Sequence, residues 1–205
     1  MRETRHMIAD RTPADARPPT AQPDATDALL QTIAATYASP RDPLLDDLRS
    51  GRFAAALVAL ADATGVPAPT LPPVDATALQ ASYVDLFVSS GDGLAAPPYL
   101  GYAQDGELLG DTAEAIGRFL KDEGIGTHDD WTDLPDHVAA VAEAGVLLAR
   151  HERPHAARDL LARWVRPWFD RYASSVADRD GSGFYGPLTT FLHATIREVT
   201  RGNGS

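Results

Sequence analysis

From residue 29 to residue 199 the apolar residues of this chain recur every three or four positions, with no sustained alternation. Leu29, Ile33 and Tyr37 stand four apart, and Leu79, Tyr83, Leu86 and Phe87 follow i, i+4, i+7, i+8. That period lines one face of an α-helix, whereas a half-buried strand needs a period of two. Further sets are Phe53/Leu57/Leu60, Leu109/Ala113/Ile116/Leu120, Val138/Val141/Gly145/Leu148, Leu161/Val165/Trp168/Tyr172 and Phe184/Leu188/Phe191/Thr195/Val199. Alanine, the best helix former, occurs 35 times. The expectation is a single compact all-α domain of about seven to nine helices over 27–200. Proline and glycine set its breaks at Pro40 and Pro43, Gly65, the connector 66–75, the loop 91–107 and Gly124. Residues 1–26, with Pro13, Pro18, Pro19 and Pro23 and almost no apolar period, read as a disordered N-terminal tail.

Composition removes several classes of function. The 205 residues include no Cys, which excludes disulfides, Fe–S clusters and thiolate zinc sites. A net charge of −11 and a pI near 4.8 argue against nucleic-acid binding, which needs a basic face. The acid is mostly Asp, 22 against 7 Glu, and the base almost all Arg, 17 against the single Lys121. Two origins remain open for that bias: a halophilic surface or GC-rich codon usage. No apolar run reaches 18 residues, so no membrane span or insertion is expected, and no secretory apolar region follows Arg2 and Arg5. The expected location is cytoplasmic.

Two motifs suggest metals, and both have a plainer reading. His151-Glu152-Arg153-Pro154-His155 matches H-E-x-x-H, which would make a zinc hydrolase using His151, Glu152 and His155. That chemistry needs one unbroken helix through both imidazoles. Pro154 lacks an N–H and clashes with the carbonyl four residues back, so the stretch predicts a break between helices. Asp178-Arg179-Asp180-Gly181-Ser182-Gly183 resembles part of a calcium loop, but position 12 falls on Thr189 or Pro187 instead of Glu. It reads as a Gly-rich turn. No phosphate-binding glycine motif and no nucleophile elbow is present. The expectation is no catalytic residue, no metal and no cofactor.

Three other stretches stand out. Tyr83-Val84-Asp85-Leu86-Phe87 precedes Ala95-Ala96-Pro97-Pro98-Tyr99, a stiff extended segment with an amphipathic ring at its end. Asp133-Leu134-Pro135-Asp136-His137 heads the helix at 138–150, with Asp133 as its candidate N-cap and Pro135 in the first turn. Pro167-Trp168-Phe169 and Gly183-Phe184-Tyr185 carry aromatics at core spacing.

In this order and at this spacing the motifs resemble the TorD/DmsD family of redox-enzyme maturation chaperones. The matching residues are Tyr83/Leu86/Phe87, Pro97-Pro98-Tyr99, Leu108-Leu109-Gly110, Leu134-Pro135-Asp136-His137, Pro167-Trp168 and Phe184-Tyr185-Leu188. The chain departs from the pattern at Leu100-Gly101, where members often carry Glu-Ser or Gly-Ser, and at Trp164, where many carry His. The resemblance implies a non-enzymatic chaperone. It would bind the N-terminal signal peptide, commonly twin-arginine, of a molybdenum-cofactor oxidoreductase subunit, holding the apo subunit back until it matures. The signal-peptide-binding residues it implies are Tyr83, Leu86, Phe87, Pro97, Pro98, Tyr99, Asp136 and His137. Charge-assisted pairing suits Asp136, with Asp133, to the arginines, and Tyr83, Leu86, Phe87 and Tyr99 to the apolar segment. The client and the choice between monomer and homodimer stay open. A second reading is an all-α small-ligand-binding module with a closed internal pocket.

Overall fold

The computed structural model describes residues 8–9, 24–73, 75–88, 93–127 and 134–201. Among these it contains ten α-helical segments. They are α1 (Ala25–Tyr37), α2 (Asp42–Ser50), α3 (Arg52–Thr64), α4 (Ala76–Tyr83), α5 (Leu100–Asp105), α6 (Asp111–Asp122), α7 (Val138–Arg150), α8 (Pro154–Leu160), α9 (Arg166–Arg179) and α10 (Tyr185–Thr200). A π-helical turn at Val84–Val88 continues α4, and another at Leu161–Val165 joins α8 to α9. The segments therefore form nine rods, and the class is all-α as the apolar period predicts. The strand content of the described residues is one two-residue antiparallel pair, Ile8–Ala9 with Gly126–Thr127.

The first helix starts slightly before the expected boundary at 27, because Asp24 caps it. Asp24 accepts the Thr26 N–H, as an N-cap carboxylate does. Most of the segment read as a tail lies outside the described residues. The Pro-punctuated breaks fall where proline and glycine demand them: Pro43 sits in the first turn of α2, and Gly51 and Gly65 are left-handed at helix ends.

Two helix pairs organise the interior, α1 with α7 and α9 with α10. The small residues of α7 explain the first. A Cβ on Gly145 would stand 2.8 Å from Leu30 Cδ2, so glycine permits the close approach of α1. Buried threonines are satisfied inside their own helices: Thr36 donates to Thr32 O at 2.7 Å and Thr195 to Phe191 O at 2.8 Å.

The centre is aromatic. Tyr37 meets Phe87, Trp168 and Phe169 edge-on, with centroids 5.5, 5.1 and 5.6 Å away. Its hydroxyl shares a hydrogen bond with Thr189 Oγ1 at 2.8 Å, and burial raises its pKa well above the ordinary tyrosine value. Tyr185, also fully buried, has its pKa raised first by burial and then by Tyr83, Tyr37 and Asp180 nearby.

Three expectations need correction. The loop 91–107 contains α5, a helix too short to show a period. Leu109 does not begin α6, which starts at Asp111; it lies in the preceding turn with φ of 59° and is 64% exposed. The N-cap of α7 is His137, whose Nδ1 accepts the Ala139 N–H at 3.2 Å, so Pro135 precedes the helix. Asp133 lies outside the described residues.

Candidate functional site

The Pro-Pro segment and the Asp-His segment run antiparallel and share a backbone bridge between Tyr99 and His137. The Leu100 N–H donates to Asp136 O at 2.9 Å, and the Val138 N–H to Pro98 O at 2.7 Å. Proline has no N–H of its own, so this pairing uses Pro98 only as an acceptor. Two more bonds fasten the stiff segment to the core. The Ala96 N–H donates to Leu86 O at 3.1 Å, and the Trp168 indole N–H to Pro97 O at 2.7 Å.

Asp136 is fully buried, and its Oδ2 accepts the Gly101 N–H at 3.0 Å. It thus caps the second residue of α5 from 35 positions away, which is why a six-residue helix persists here. A Cβ on Gly101 would stand 2.9 Å from that oxygen. Position 101, where the family pattern often has Ser, is therefore a crowded one in this chain, pressed between Asp136 and Ala113.

The rings of Tyr99 and His137 meet edge-on, centroids 5.7 Å apart. With His137 Nδ1 accepting from the backbone, a neutral ring carries its proton on Nε2. Tyr99 and Pro97 are half-buried, while Pro98 and His137 are buried.

The structure thus joins five expected site residues, Pro97, Pro98, Tyr99, Asp136 and His137, in one junction, with Leu86 bonded to it through its carbonyl. Tyr83 and Phe87 lie beneath, in the aromatic core. The Tyr83 hydroxyl donates to Tyr37 O at 3.2 Å, and its ring stands 5.4 Å from that of Phe87. The spacing of Trp168 marks it as core, and its indole is also the group that anchors Pro97. Nothing in its spacing signals that second role.

The two metal-like motifs resolve as turns. Helix α7 ends at Arg150, Glu152 has φ of 61°, and α8 begins at Pro154, so His151 and His155 share no continuous helix. Asp180 Oδ1 accepts from the Ser82 hydroxyl and the Ser182 N–H, and Oδ2 from the Gly186 N–H at 2.7 Å. Among the described residues no group of three or more His, Asp or Glu could hold a metal ion. A cleft of about 320 Å³ lies at the start of α1, lined by Asp24, Thr26, Thr64, Arg158 and Glu198, apart from the junction. Among the described residues no helix is long and apolar enough to cross a membrane.

Comparison with known proteins bears on the same region. The chain is 27% identical over 107 residues to the Tat proofreading chaperone DmsD of Salmonella typhimurium, and 28% identical over 107 residues to that of Salmonella typhi. These matches cover 51% of this chain, and it spans about half the length of these curated relatives, 52%. A solved structure from Archaeoglobus fulgidus, assigned to the redox enzyme maturation proteins, superposes with a TM-score of 0.62 at 20% identity. It covers 89% of this chain and 99% of its own, and supports the fold. The family model for the nitrate reductase delta subunit matches residues 46–174, which run from α2 through the junction and into α9. A match of that extent is decisive: the chain belongs to the nitrate reductase delta subunit family, the TorD family expected from its motifs.

Proposed function

We propose that this protein is a redox-enzyme maturation chaperone. It binds the N-terminal, twin-arginine signal peptide of a molybdenum-cofactor oxidoreductase subunit in the cytoplasm, before export or assembly. It acts without catalysis and without a cofactor of its own. The observation that carries this reading is the Pro97–Tyr99 and Asp136–His137 junction, a rigid two-segment platform presenting a half-buried tyrosine ring beside an imidazole. Family membership and the named function of the DmsD relatives support it.

Within this reading the eight residues divide by position. Tyr99 and Pro97, half-buried, meet the peptide. Tyr83, Leu86, Phe87, Pro98, Asp136 and His137 are the bed that holds them, because each is buried. A tyrosine brings large contact area at low entropy cost, and its polar tip tolerates water. The apolar part of a leader supplies most of the affinity by leaving water, roughly 25 cal/mol per Å² of apolar surface buried.

The test is calorimetric titration of the full chain with a synthetic leader carrying two adjacent arginines and an apolar segment. Wild type binds, and Tyr99→Ala weakens binding about tenfold while the far-ultraviolet spectrum stays helical. No heat of binding at ~0.1 M or ~1 M salt, where the Debye length falls from ~10 to ~3 Å, would overturn the reading.

A further inference from the structure

The turn between α5 and α6 displays Leu108, 50% exposed, and Leu109, 64% exposed. Leu109 holds φ at 59°, a left-handed conformation that glycine adopts freely and a bulky side chain does not. The turn is held in shape from both sides. The Asp105 carboxylate accepts the Thr112 N–H at 2.8 Å and the Thr112 hydroxyl at 2.7 Å. A Cβ on Gly110 would stand 2.7 Å from the same carboxylate. An exposed leucine thus occupies a position where glycine would cost less, and apolar area is presented to water on a clamped turn. Strained outliers of this kind concentrate at binding sites.

The charge around the leucines says what would cover them. Glu107, Asp111 and Glu114 are exposed on the turn and the first turn of α6. Among the described residues of this hairpin, the salt-bridge partner of Glu114 is Arg118, at 3.7 Å. An apolar pair rimmed by carboxylates suits a segment that is both apolar and cationic. It does not suit a second copy of this chain, which brings its own net charge of −11. Helix α5 has six residues and spans ~9 Å, so the turn lies near the Tyr99–His137 junction that begins the helix.

We infer that the Leu108–Leu109 turn is a second docking point for the cationic, apolar leader peptide, with Glu107 and Asp111 meeting its arginines. The inference rests on the leader-binding reading above and extends it. It moves the ionic contact from buried Asp136 to exposed carboxylates on the α5–α6 hairpin.

The test uses the same synthetic leader and the full chain. Leu109→Gly removes the side chain and relieves the backbone, so its urea midpoint is equal to or above that of wild type. Its affinity for the leader falls about tenfold. Loss of binding therefore cannot be blamed on unfolding. Glu107→Gln with Asp111→Asn lowers affinity a few-fold at ~0.1 M salt and converges with wild type at ~1 M. A leader with both arginines changed to glutamine loses that difference. Wild-type binding with an unchanged affinity in Leu109→Gly overturns the inference and leaves the leader reading standing. So does a lower sedimentation mass of peptide-free Leu109→Gly, which would mark the turn as a contact between copies. Failure of wild type to bind removes both.

Discussion

Two junctions of this molecule are built alike. At one, Asp136 holds the N–H of Gly101, the second residue of α5; at the other, Asp180 holds the N–H of Gly186, the second residue of α10. In both, a Cβ on the glycine would be crowded: 2.9 Å from Asp136 Oδ2 in the first, 3.2 Å from Ala177 Cα in the second. They differ in reach and in wetness. Asp136 comes from 35 positions away and is fully buried, whereas Asp180 comes from six away and is half-buried. In sequence the first looks like half of a binding dyad and the second like a fragment of a calcium loop. Each holds a backbone N–H, and Asp180 also accepts from the hydroxyls of Ser82 and Ser182. An aspartate's role is decided by which N–H the fold brings to it, and residue type alone does not show that.

The comparison can be broken by chemical unfolding. Asp136→Ala strands a buried N–H and should cost about 2–3 kcal/mol. Asp180→Ala should cost about half as much, since its donors can turn to water; the reverse order would break the parallel. Asp136→Asn keeps an acceptor and should recover most of the loss. Gly101→Ala should cost about 2 kcal/mol alone. It should cost clearly less in an Asp136→Ala background, because the colliding oxygen is gone. Gly186→Ala should show no such relief with Asp180→Ala, because a backbone atom of α9 is its nearest obstacle.

The α10 junction is sharpened further by Tyr185 and Tyr37. Burial keeps both phenols protonated in the folded state, while the unfolded chain releases their protons above pH 10. The contribution of these two phenols is therefore fully present below pH 10 and is lost as pH rises past it, by about 1.4 kcal/mol per phenol at pH 11. The phenolate absorbance of these two rings should appear in step with loss of helix. The smallest effect is Tyr185→Phe. The Tyr185 hydroxyl is buried and finds no hydrogen-bond partner among the described residues, so its removal should raise stability by up to about 1 kcal/mol.

The long helices were legible because each buries a stripe of several turns. Leu29, Ile33 and Tyr37 are each 1% exposed or less, and the period alone places them. Helix α5 was not legible, because its six residues show no period and its cap is 35 positions away. Leu109 was misassigned because its spacing fits α6 while its backbone does not, and φ leaves no trace in a residue name. The meeting of Pro97–Tyr99 with Asp136–His137 was legible only through family likeness; antiparallel pairing of two such short segments has no local signature. The expectation that Asp136 reads arginine rests on residue chemistry alone; the fold adds that its carboxylate is buried and accepts the Gly101 N–H, neither of which a residue name discloses.

The π-helical turn at Leu161–Val165 has a further consequence. There the Arg166 N–H reaches back five residues to Leu161 O, and Pro167, which has no N–H to give, follows directly in the first turn of α9. Each helical residue turns the chain ~100°, so the one extra residue accommodated here resets the azimuth of everything downstream. Delete a single residue from this stretch and the indole of Trp168 would swing about a quarter-turn away from the Pro97 carbonyl. The bulge works as a vernier, setting by one increment the dial on which the whole proline strap is hung.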